Sequence, residues 1–420
     1  MRILVTGFRL KSPVFVFFLA IASFLSAACN ALRNIPSESH VASFTSKSLQ
    51  PLVFFADSNF QGAQIIFESP GFLYLNNPIT DLGSFILQTG YTLTLAAAED
   101  GTGTSDFVVA NEGGVRIAEL RSRYPEGVRF LRLAKLNMTV KKGFSRAAEA
   151  IFGTALNNAE AWSYNWGLQP KGDRVPGTHF VPMIWGSSSD PDQIRALARD
   201  LSLDTVLTFN EPDRCDAQSG IAFCNAAKTL GIAPEERAVD VYKDLGMAGL
   251  RLGSPATHEG GVGWLKEFTK ILNQKYNVRM DVITVHWYDW GSAPVKPSNE
   301  KCNDPQTCII EAPKCGDTRP TPADAELVGK AAADRMIAYL ENVHNEFNKP
   351  IWITEFNANT RRQTPYHLAF LKSVLPRLES LDFIERYNYY VPNEHSKSQQ
   401  VTHHEMLNVD DEHRRLDPKS

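Results

Sequence analysis

Eight short apolar runs recur between residues 140 and 390, and stretches with a helical period separate most of them. Runs of this kind, rich in β-branched and aromatic residues, are typical of buried parallel strands. Strands that alternate with helices predict an α/β fold, and eight of them match the (β/α)8 TIM barrel. We therefore predict such a barrel over residues 140–408. Its predicted strands are 140–144, 161–166, 179–185, 205–210, 250–255, 282–288, 351–355 and 384–390, and its clearest predicted helices are 192–201, 263–274, 322–347 and 365–378.

Two of these predicted strands end in a glutamate. The run 205–209 leads into Asn210, Glu211 and Pro212, and the proline ends the strand because it lacks the N–H that a sheet requires. A second run, "IWITEF", contains Glu355 at its predicted end. In a barrel the carboxyl ends of the strands meet at one face, where active sites form. We expect the two carboxylates to meet there, on strands four and seven.

A pair of carboxylates at one site is the arrangement that cleaves glycosidic bonds. In a retaining enzyme the two groups lie about 5–5.5 Å apart; one attacks the anomeric carbon and the other transfers the proton. Asn210 is suited to bind a sugar hydroxyl near the reacting carbon, so we assign its neighbour Glu211 as the acid/base and Glu355 as the nucleophile. His286 and Tyr288, at the end of strand six, are predicted to hold Glu355 by hydrogen bonds and to keep it ionised.

Aromatic side chains cluster at the same predicted strand ends, where their flat faces are suited to stack on sugar rings. The simpler interpretation is that some of these aromatics belong to the core. We expect a substrate site without a metal and without a cofactor. The predicted substrate-binding residues are Asn210, Trp162, Tyr164, Trp185, His286, Tyr288 and Trp290, with Trp166 and Trp287 as further candidates for stacking.

The motifs at these strand ends follow the order of a known family. They are "KKG", "WSYNWG", "FVPMIWG", "FNEPD", "GSPA", "VHWYDW", "KPIWITEF" and "ERYNYY". Over residues 140–392 the chain resembles the Asl1-like glycosyl hydrolase catalytic core, glycoside hydrolase family 128. The resemblance implies a β-1,3-glucanase of endo type, with Glu211 as proton donor and Glu355 as nucleophile. The positions that match the lining of the family's groove are Trp162, Trp185, His286 and Tyr288.

Two segments depart from that family. Residues 296–322 contain three cysteines and several prolines, and we interpret them as an inserted loop after strand six, placed to cover the groove or to alter chain-length preference. The family's closing helix after strand eight is replaced by a charged stretch. We therefore expect an irregular last helix or an incomplete closure, followed by a polar tail over residues 409–420.

Residues 50–135 have a different character, because short strands alternate with Gly and Asn turns and no long helical period occurs. This pattern predicts a small all-β sandwich. Phe55, Phe60 and Gly62 in "FADSNFQG" have the spacing of the Greek-key signature, and the segment resembles a βγ-crystallin domain. The calcium ligands of that family would fall on Ile79 and Thr80, which cannot supply them. The predicted strands are 52–55, 64–67, 85–87, 91–95, 107–109, 115–117 and 128–133.

The first 31 residues have the composition of a secretory signal: a basic start, an apolar stretch over 14–25 and small residues after it. We expect a secreted, extracellular protein, with a lipid anchor at Cys29 as the minority interpretation. Residues 32–49 are interpreted as a linker. Because export permits disulfides, Cys215 and Cys224, which share one loop region, are candidates to pair.

The net charge of −4 gives no reason to expect nucleic acid as a partner. We expect a monomer without a membrane span, whose partner is β-1,3-glucan as a polysaccharide or as oligosaccharides. One alternative is a catalytically weak β-glucan-binding protein that keeps only the aromatic recognition. The other is a structural crystallin fusion in which the barrel is a carrier. Deletion of residues 50–135 tests this second alternative: if the remaining chain keeps its activity, the sandwich is accessory.

Overall fold

A computed structural model of the chain describes residues 3–6, 50–137, 139–145, 161–170, 178–187, 190–290, 322–359 and 364–390. The predicted tail, the predicted linker and most of the predicted signal segment, with Cys29, lie outside these described residues. The same holds for Cys302, Cys308 and Cys315 and for nearly all of the predicted insertion. Within the described ranges no helix has both the length and the apolar character that a membrane span requires.

Nine strands form the N-terminal part: β1 (Ile3–Thr6), β2 (Leu52–Asp57), β3 (Gln61–Phe67), β4 (Gly71–Ile79), β5 (Ser84–Leu87), β6 (Tyr91–Ala96), β7 (Ser105–Ala110), β8 (Val115–Ile117) and β9 (Val128–Lys135). They form two antiparallel sheets, in the orders β1-β3-β2-β5-β8 and β4-β9-β6-β7. Phe54 and Phe85 from one sheet share a buried core with Leu93 and Leu131 from the other, so this part is a β-sandwich. The seven predicted strands are present, and two more were not predicted: β1, which lies in the predicted signal segment, and β4, whose "NNP" has turn composition.

The segment with the Greek-key spacing forms a tightly folded hairpin. The rings of Phe55 and Phe60 meet edge to face, with their centroids 5.8 Å apart. Gly62 has a φ of 83°, and a Cβ there would lie 2.5 Å from the Asp57 carboxylate, so only glycine fits. The Ser84 hydroxyl ties the turn to β5 by donating to the Asp57 carbonyl oxygen at 2.7 Å. These contacts explain the spacing in physical terms, while the relation to βγ-crystallins stays a prediction.

The second part of the molecule is α/β, and its strand pairs are parallel. The pairing orders are β12-β11-β10-β18-β17-β16 and β13-β14-β15, and the bridges Gly253↔Val282 and Thr257↔Val285 join the end strands of the two sheets. The eight predicted strands are all present, the third in two pieces. The strands are β10 (Lys142–Ser145), β11 (Trp162–Tyr164), β12 (His179–Phe180), β13 (Met183–Ile184), β14 (Thr205–Asn210), β15 (Arg251–Ala256), β16 (Ile283–Tyr288), β17 (Ile351–Asn357) and β18 (Ile384–Tyr389).

The helices of this part pack their apolar faces against the parallel strands. Phe223, Tyr242, Phe268, Met336 and Phe370 all belong to the buried cluster that also contains strand residues. Two of the helices, α2 and α3, were not predicted, and Cys224, which was assigned to a loop region, lies in α2. The helices are α1 (Pro191–Arg199), α2 (Gly220–Leu230), α3 (Pro234–Tyr242), α4 (Val262–Lys275), α5 (Pro322–Phe347) and α6 (Thr364–Ser380).

Arg132, on β9, lies at the centre of the contact between the sandwich and the α/β part. Its guanidinium donates to the carbonyl oxygens of Ala198 at 3.0 Å, Asp200 at 2.8 Å and Leu203 at 2.7 Å, at and beyond the end of α1. A helix end leaves carbonyl oxygens without partners and attracts positive charge. Burial lowers the pKa of the Arg132 guanidinium to about 10, so it is still charged at neutral pH.

Phe130, two residues before Arg132, fills the same interface from β9. Gly249 approaches it with a φ of 58°, and a Cβ at that glycine would lie 2.5 Å from the Phe130 ring. The Thr94 hydroxyl donates to the Gly249 carbonyl oxygen at 2.6 Å. Phe130 also shares a buried cluster with Ala198 of α1. The sandwich and the α/β part therefore meet in a small buried cluster of their own.

Candidate active site

Glu211 and Glu355 lie together at the carboxyl ends of the parallel strands. Glu211 directly follows β14, whereas Glu355 is inside β17, which continues to Asn357. One oxygen of each carboxylate and a ring nitrogen of His286 all lie within 4.8 Å of one another. The pairing of strands thus brings together the two carboxylates that the sequence placed on different strand ends.

The backbone around Glu211 is irregular in a way that ends the strand. The pairing of β14 with β15 shifts register between Thr208 and Asn210. Phe209 and Glu211 have φ values of 27° and 48°, a region that costs residues with a side chain of order 1–3 kcal/mol. The Glu211 N–H donates to the Ala256 carbonyl oxygen at 2.8 Å, which fixes this conformation. The surrounding fold therefore holds Glu211 in a strained position beside the cleft.

The Glu355 carboxylate accepts hydrogen bonds from two aromatic side chains. The Tyr288 hydroxyl donates to Oε2 at 2.6 Å, and the Trp166 indole N–H donates to Oε1 at 2.9 Å. Burial, and then the negative charge of Glu355, raise the pKa of the Tyr288 hydroxyl well above its ordinary value, so it remains a donor. This contact confirms the predicted hydrogen bond from Tyr288 to Glu355. Trp166 had been considered only as a stacking ring.

His286 lies between the two carboxylates and is fully buried. Its Nδ1 is 2.9 Å from Glu211 Oε1, within hydrogen-bond distance, while its Nε2 is 3.6 Å from Glu355 Oε1 and has no hydrogen-bond partner among the described residues. The prediction that His286 holds Glu355 by a hydrogen bond is therefore wrong. The imidazole is turned so that Nδ1 instead faces the carboxylate of Glu211, which follows β14.

The two members of this pair shift each other's pKa in opposite directions. Burial lowers the pKa of His286, but the charges of Glu355 and Glu211 and the hydrogen bond to Glu211 outweigh it, so the net shift is upward. Burial raises the pKa of the Glu211 carboxyl, but the hydrogen bond and charge of His286 outweigh it, so the net shift is downward. Both shifts favour an ion pair with the proton on His286.

Glu211, His286 and Glu355 also have the residue types that bind metal ions. Among the described residues they form a group of three whose possible ligand atoms lie close together. The carboxylates, however, face different nitrogens of the imidazole, which point away from each other. The imidazole ring therefore lies between the two carboxylates, and its nitrogens do not point to one position where an ion could contact all three residues. This geometry fits a shared proton better than a metal centre.

A cleft of about 440 Å³ opens above these groups. It includes four of the residues predicted to bind substrate: Trp185, Asn210, Tyr288 and Trp290. The two tryptophans are the exposed ones, at 40% and 54% of their surface, so their rings are available to a ligand. The full lining is Trp166, Trp185, Asn210, Glu211, Arg214, Gln218, His258, Glu259, Tyr288, Trp290, Glu355 and Tyr390.

Trp162 and Tyr164 do not reach this cleft, and their prediction as substrate-binding residues is wrong. Both are completely buried, and their rings stack with centroids 5.9 Å apart. The Trp162 indole donates to the Lys141 carbonyl oxygen, and the Tyr164 hydroxyl donates to the Thr354 carbonyl oxygen. Residues two apart on a strand share a face, and here that face is the core. Trp287 is likewise buried and stacks on Phe370.

The sequence-based prediction missed the polar residues that line the cleft from the loops. Arg214 and Gln218 follow β14, and the predicted disulfide is present, joining Cys215 in that loop to Cys224 in α2. The Asn210 side-chain amide donates to Gln218 Oε1 at 3.2 Å. The signal that could have identified these residues was their position directly after a predicted strand end.

His258 and Glu259 line the cleft from the loop after β15. The Asp213 carboxylate is buried and forms a close contact with His258 Nδ1. That hydrogen bond, and to a smaller extent the charges of Asp213 and Glu259, raise the pKa of His258 despite its partial burial. The Glu211 side of the cleft is therefore lined by charged groups, in contrast to the aromatic residues around Glu355.

The family model described as glycosyl hydrolase catalytic core matches residues 143–301 and 327–416. This match covers more than half of the chain and includes Glu211, His286 and Glu355. No curated protein matches the chain.

Three solved structures illustrate the similarities in structure. A GH128 (subgroup I) endo-β-1,3-glucanase from Amycolatopsis mediterranei in complex with laminaritriose is 26% identical, with a TM-score of 0.45 over 64% of this chain and 99% of that one. A GH128 (subgroup II) endo-β-1,3-glucanase from Sorangium cellulosum is 19% identical, with a TM-score of 0.44 over 64% and 98%. A GH128 (subgroup III) curdlan-specific exo-β-1,3-glucanase from Blastomyces gilchristii is 23% identical, with a TM-score of 0.40 over 62% and 97%.

Proposed function

The chain belongs to the glycosyl hydrolase catalytic core family, and from that premise we propose that it is a secreted, retaining, endo-acting hydrolase of β-1,3-glucan. The observation that carries the proposal is the approach of the Glu211 and Glu355 oxygens to within 4.8 Å. A retaining glycosidase needs its carboxyl groups about 5–5.5 Å apart, whereas an inverting one needs about 6.5–9.5 Å to admit a water molecule. The family's order of motifs supports the β-1,3 linkage.

In the first step Glu355 attacks the anomeric carbon and forms a glycosyl ester, while Glu211 protonates the departing oxygen. Tyr288 and Trp166 each donate to one oxygen of Glu355 and so fix the direction of attack. In the second step Glu211 takes a proton from water, which releases the sugar with its original configuration. Asn210, beside Glu211, is positioned to bind a hydroxyl of the reacting sugar.

His286 supplies the proton that Glu211 needs in the first step. In the free protein the ion pair keeps this proton on Nδ1, 2.9 Å from Glu211. Attack by Glu355 removes one negative charge beside the imidazole, and the cation that this charge stabilised then loses its proton more readily. Transfer to Glu211 and release to the leaving oxygen are thereby coupled to nucleophilic attack.

We further propose that the α/β part closes as a (β/α)8 barrel. The strand pairings support this: β10 pairs with both β11 and β18, and the bridge Gly253↔Val282 joins the β15 side to the β16 side. The pieces β12 and β13 lie two residues apart on one predicted strand and connect the two sheets. A closed ring explains why two distant glutamates share one cleft.

Trp185 and Trp290 are the sugar-stacking residues of this proposal, because their rings are exposed in the cleft. The Cys215–Cys224 disulfide supports export, since such bonds persist in oxidising compartments. The predicted signal over residues 1–31 and the absence of a cofactor are part of the same proposal. That segment contains β1, which pairs with β3, so removal of the signal would take this edge strand from the sandwich.

The decisive experiment is a product profile on linear β-1,3-oligosaccharides and polysaccharide, with β-1,4 and mixed-linkage glucans as controls. We expect oligosaccharides of several lengths from internal cuts, and an NMR spectrum in which the β-anomer forms first. Release of the α-anomer first would contradict the retaining mechanism, and release of glucose alone would contradict endo action. Binding of the glucan without any reducing-sugar release would favour the glucan-binding alternative.

A further inference from the structure

The side-chain amide of Asn210 makes one hydrogen bond within the described part of the chain. Its Nδ2 donates to Oε1 of Gln218 at 3.2 Å, while its Oδ1 is buried and has no hydrogen-bond partner among the described residues. The oxygen and the nitrogen of a side-chain amide can exchange places by a half turn of the group at little cost. The contact with Gln218 therefore determines the direction in which the Asn210 amide faces.

The backbone of Asn210 is held independently of this contact. Its N–H donates to the Trp185 carbonyl oxygen at 2.9 Å, and its carbonyl oxygen accepts from the Ser219 hydroxyl at 2.7 Å and from the Ser219 N–H at 3.1 Å. Ser219 is fully buried, whereas Gln218 is exposed and lines the cleft. Removal of the Gln218 side chain should thus leave the main chain of Asn210 in place and release only the amide.

The loop between β14 and α2 is built so that Gln218 returns to Asn210. The disulfide from Cys215 to Cys224 ties this loop to α2. Gln218 has a φ of 53°, a left-handed conformation that residues with a side chain adopt where the surrounding structure holds them in it. Such backbone conformations concentrate at functional sites. The loop therefore keeps an exposed side chain at a fixed position beside Asn210.

We propose that Gln218 is a positioning residue of the reaction, which directs the Asn210 amide toward the reacting sugar. The inference rests on the proposed function, in which Asn210 binds a hydroxyl near the anomeric carbon and that hydrogen bond strengthens in the transition state. An amide that turns freely has the required orientation for only part of the time, and this lowers the rate. Gln218 thus acts on the reaction through Asn210, without contacting the sugar itself.

The test is a double-mutant cycle between Gln218 and Asn210 in the full chain, with a linear β-1,3-glucohexaose as substrate. Gln218→Leu removes the acceptor. We expect kcat to fall about 3- to 10-fold with little change in KM, because the affected hydrogen bond acts in the transition state. Asn210→Ala should cause a larger loss. Adding Gln218→Leu to Asn210→Ala should cause no further loss, since Gln218 then has no amide to orient.

A conservative variant tests whether the acceptor is what matters. Gln218→Glu keeps an acceptor for Asn210 Nδ2 and has no N–H, so kcat should stay within about threefold of the parent value. Each variant is compared at its own optimal pH, so that a changed ionisation of Glu211 does not affect the comparison. The matched control is Gln274→Leu on α4, an exposed glutamine outside the cleft, which should keep the parent kcat and KM.

Three outcomes would overturn the inference. One is an unchanged kcat in Gln218→Leu. Another is a loss from Gln218→Leu that is equally large in the Asn210→Ala background, because Gln218 would then act on the substrate directly or on the fold. The third is a Gln218→Glu variant as slow as Gln218→Leu. In each case hydrolysis by the unsubstituted protein leaves the proposed function intact, whereas no hydrolysis by that protein would overturn the proposed function and this inference together.

Discussion

The two sides of the cleft present a glutamate each, but they surround it with different chemistry. Glu355 accepts hydrogen bonds from the Tyr288 hydroxyl and the Trp166 indole N–H, and neither donor changes charge near neutral pH. Glu211 is paired with His286, which does change charge there. One carboxylate is thereby oriented by permanent donors, while the other shares a movable proton. The same residue type acquires two roles from its surroundings, as the proposed reaction requires.

The largest effect is expected from Glu355→Gln, which removes the nucleophile on the side with permanent donors. Hydrolysis of linear β-1,3-glucan should fall on the order of 10⁴-fold, because no other group can form the glycosyl ester. Oligosaccharide binding should persist. Reducing-sugar release and calorimetry measure the two properties, with the exposed Glu267→Gln variant as control. Full activity in Glu355→Gln would show that Glu355 is not the nucleophile.

Glu211→Gln should show a smaller effect that depends on the leaving group. On the glucan we expect a loss of about 10²–10³-fold, the usual contribution of general acid catalysis. On an aryl β-glucoside whose phenol leaves without protonation, formation of the glycosyl ester should be nearly unaffected and give a burst of phenol. Stopped-flow absorbance measures that burst. An equal loss on both substrates would argue that Glu211 is not the proton donor.

Tyr288→Phe tests the permanent donors and should have an intermediate effect. It removes the 2.6 Å hydrogen bond to Glu355 and leaves the Trp166 contact in place. A hydrogen bond to a charged group contributes roughly 1.5–3 kcal/mol, so kcat/KM should fall about 10- to 100-fold. Tyr276→Phe is the matched control, since its hydroxyl bonds to Asp240 away from the cleft. An unchanged rate in Tyr288→Phe would mean that the indole alone orients the nucleophile.

The strand order and the pair of glutamates could be predicted because both depend on local sequence. An apolar β-branched run predicts a strand, and the proline after Glu211 marks where that strand ends. Glu355 was placed at a strand end from its apolar run alone, and it lies inside β17, two residues before the strand ends. It was harder to predict on which face of the sheet a side chain lies. Trp162 and Tyr164 sit on a predicted strand as expected but face inward, and only the completed sheet determines which face becomes core.

Other contacts between distant segments, unlike the hydrogen bond from Tyr288 to Glu355, could not be predicted from sequence patterns. Arg132 looks like an ordinary surface arginine in the alternation of β9, yet it is buried against the end of α1. The hydrogen bond from His286 goes to Glu211 because of how β14 and β16 come together, and residue spacing carries no information on that choice. Residues such as His258 and Glu259 join the cleft only through the path of a loop.

The smallest expected effect, and the one that most directly tests the movable proton, is the pH profile of His286→Gln. The pair can protonate the leaving oxygen as long as it holds one proton, and the pKa of His286 lies above its ordinary value. Activity should therefore persist as the pH rises and then decline on the alkaline side, above about 6.5. Without His286, Glu211 must retain the proton alone, so the alkaline decline should move to lower pH and the maximal rate should fall about tenfold.

The control is His344→Gln, which replaces a partly buried histidine that stacks on Phe383 outside the cleft, and it should keep the parent pH profile. If the alkaline decline of His286→Gln stayed at the parent pH, the two sides of the cleft would not differ in the way that their hydrogen bonds indicate.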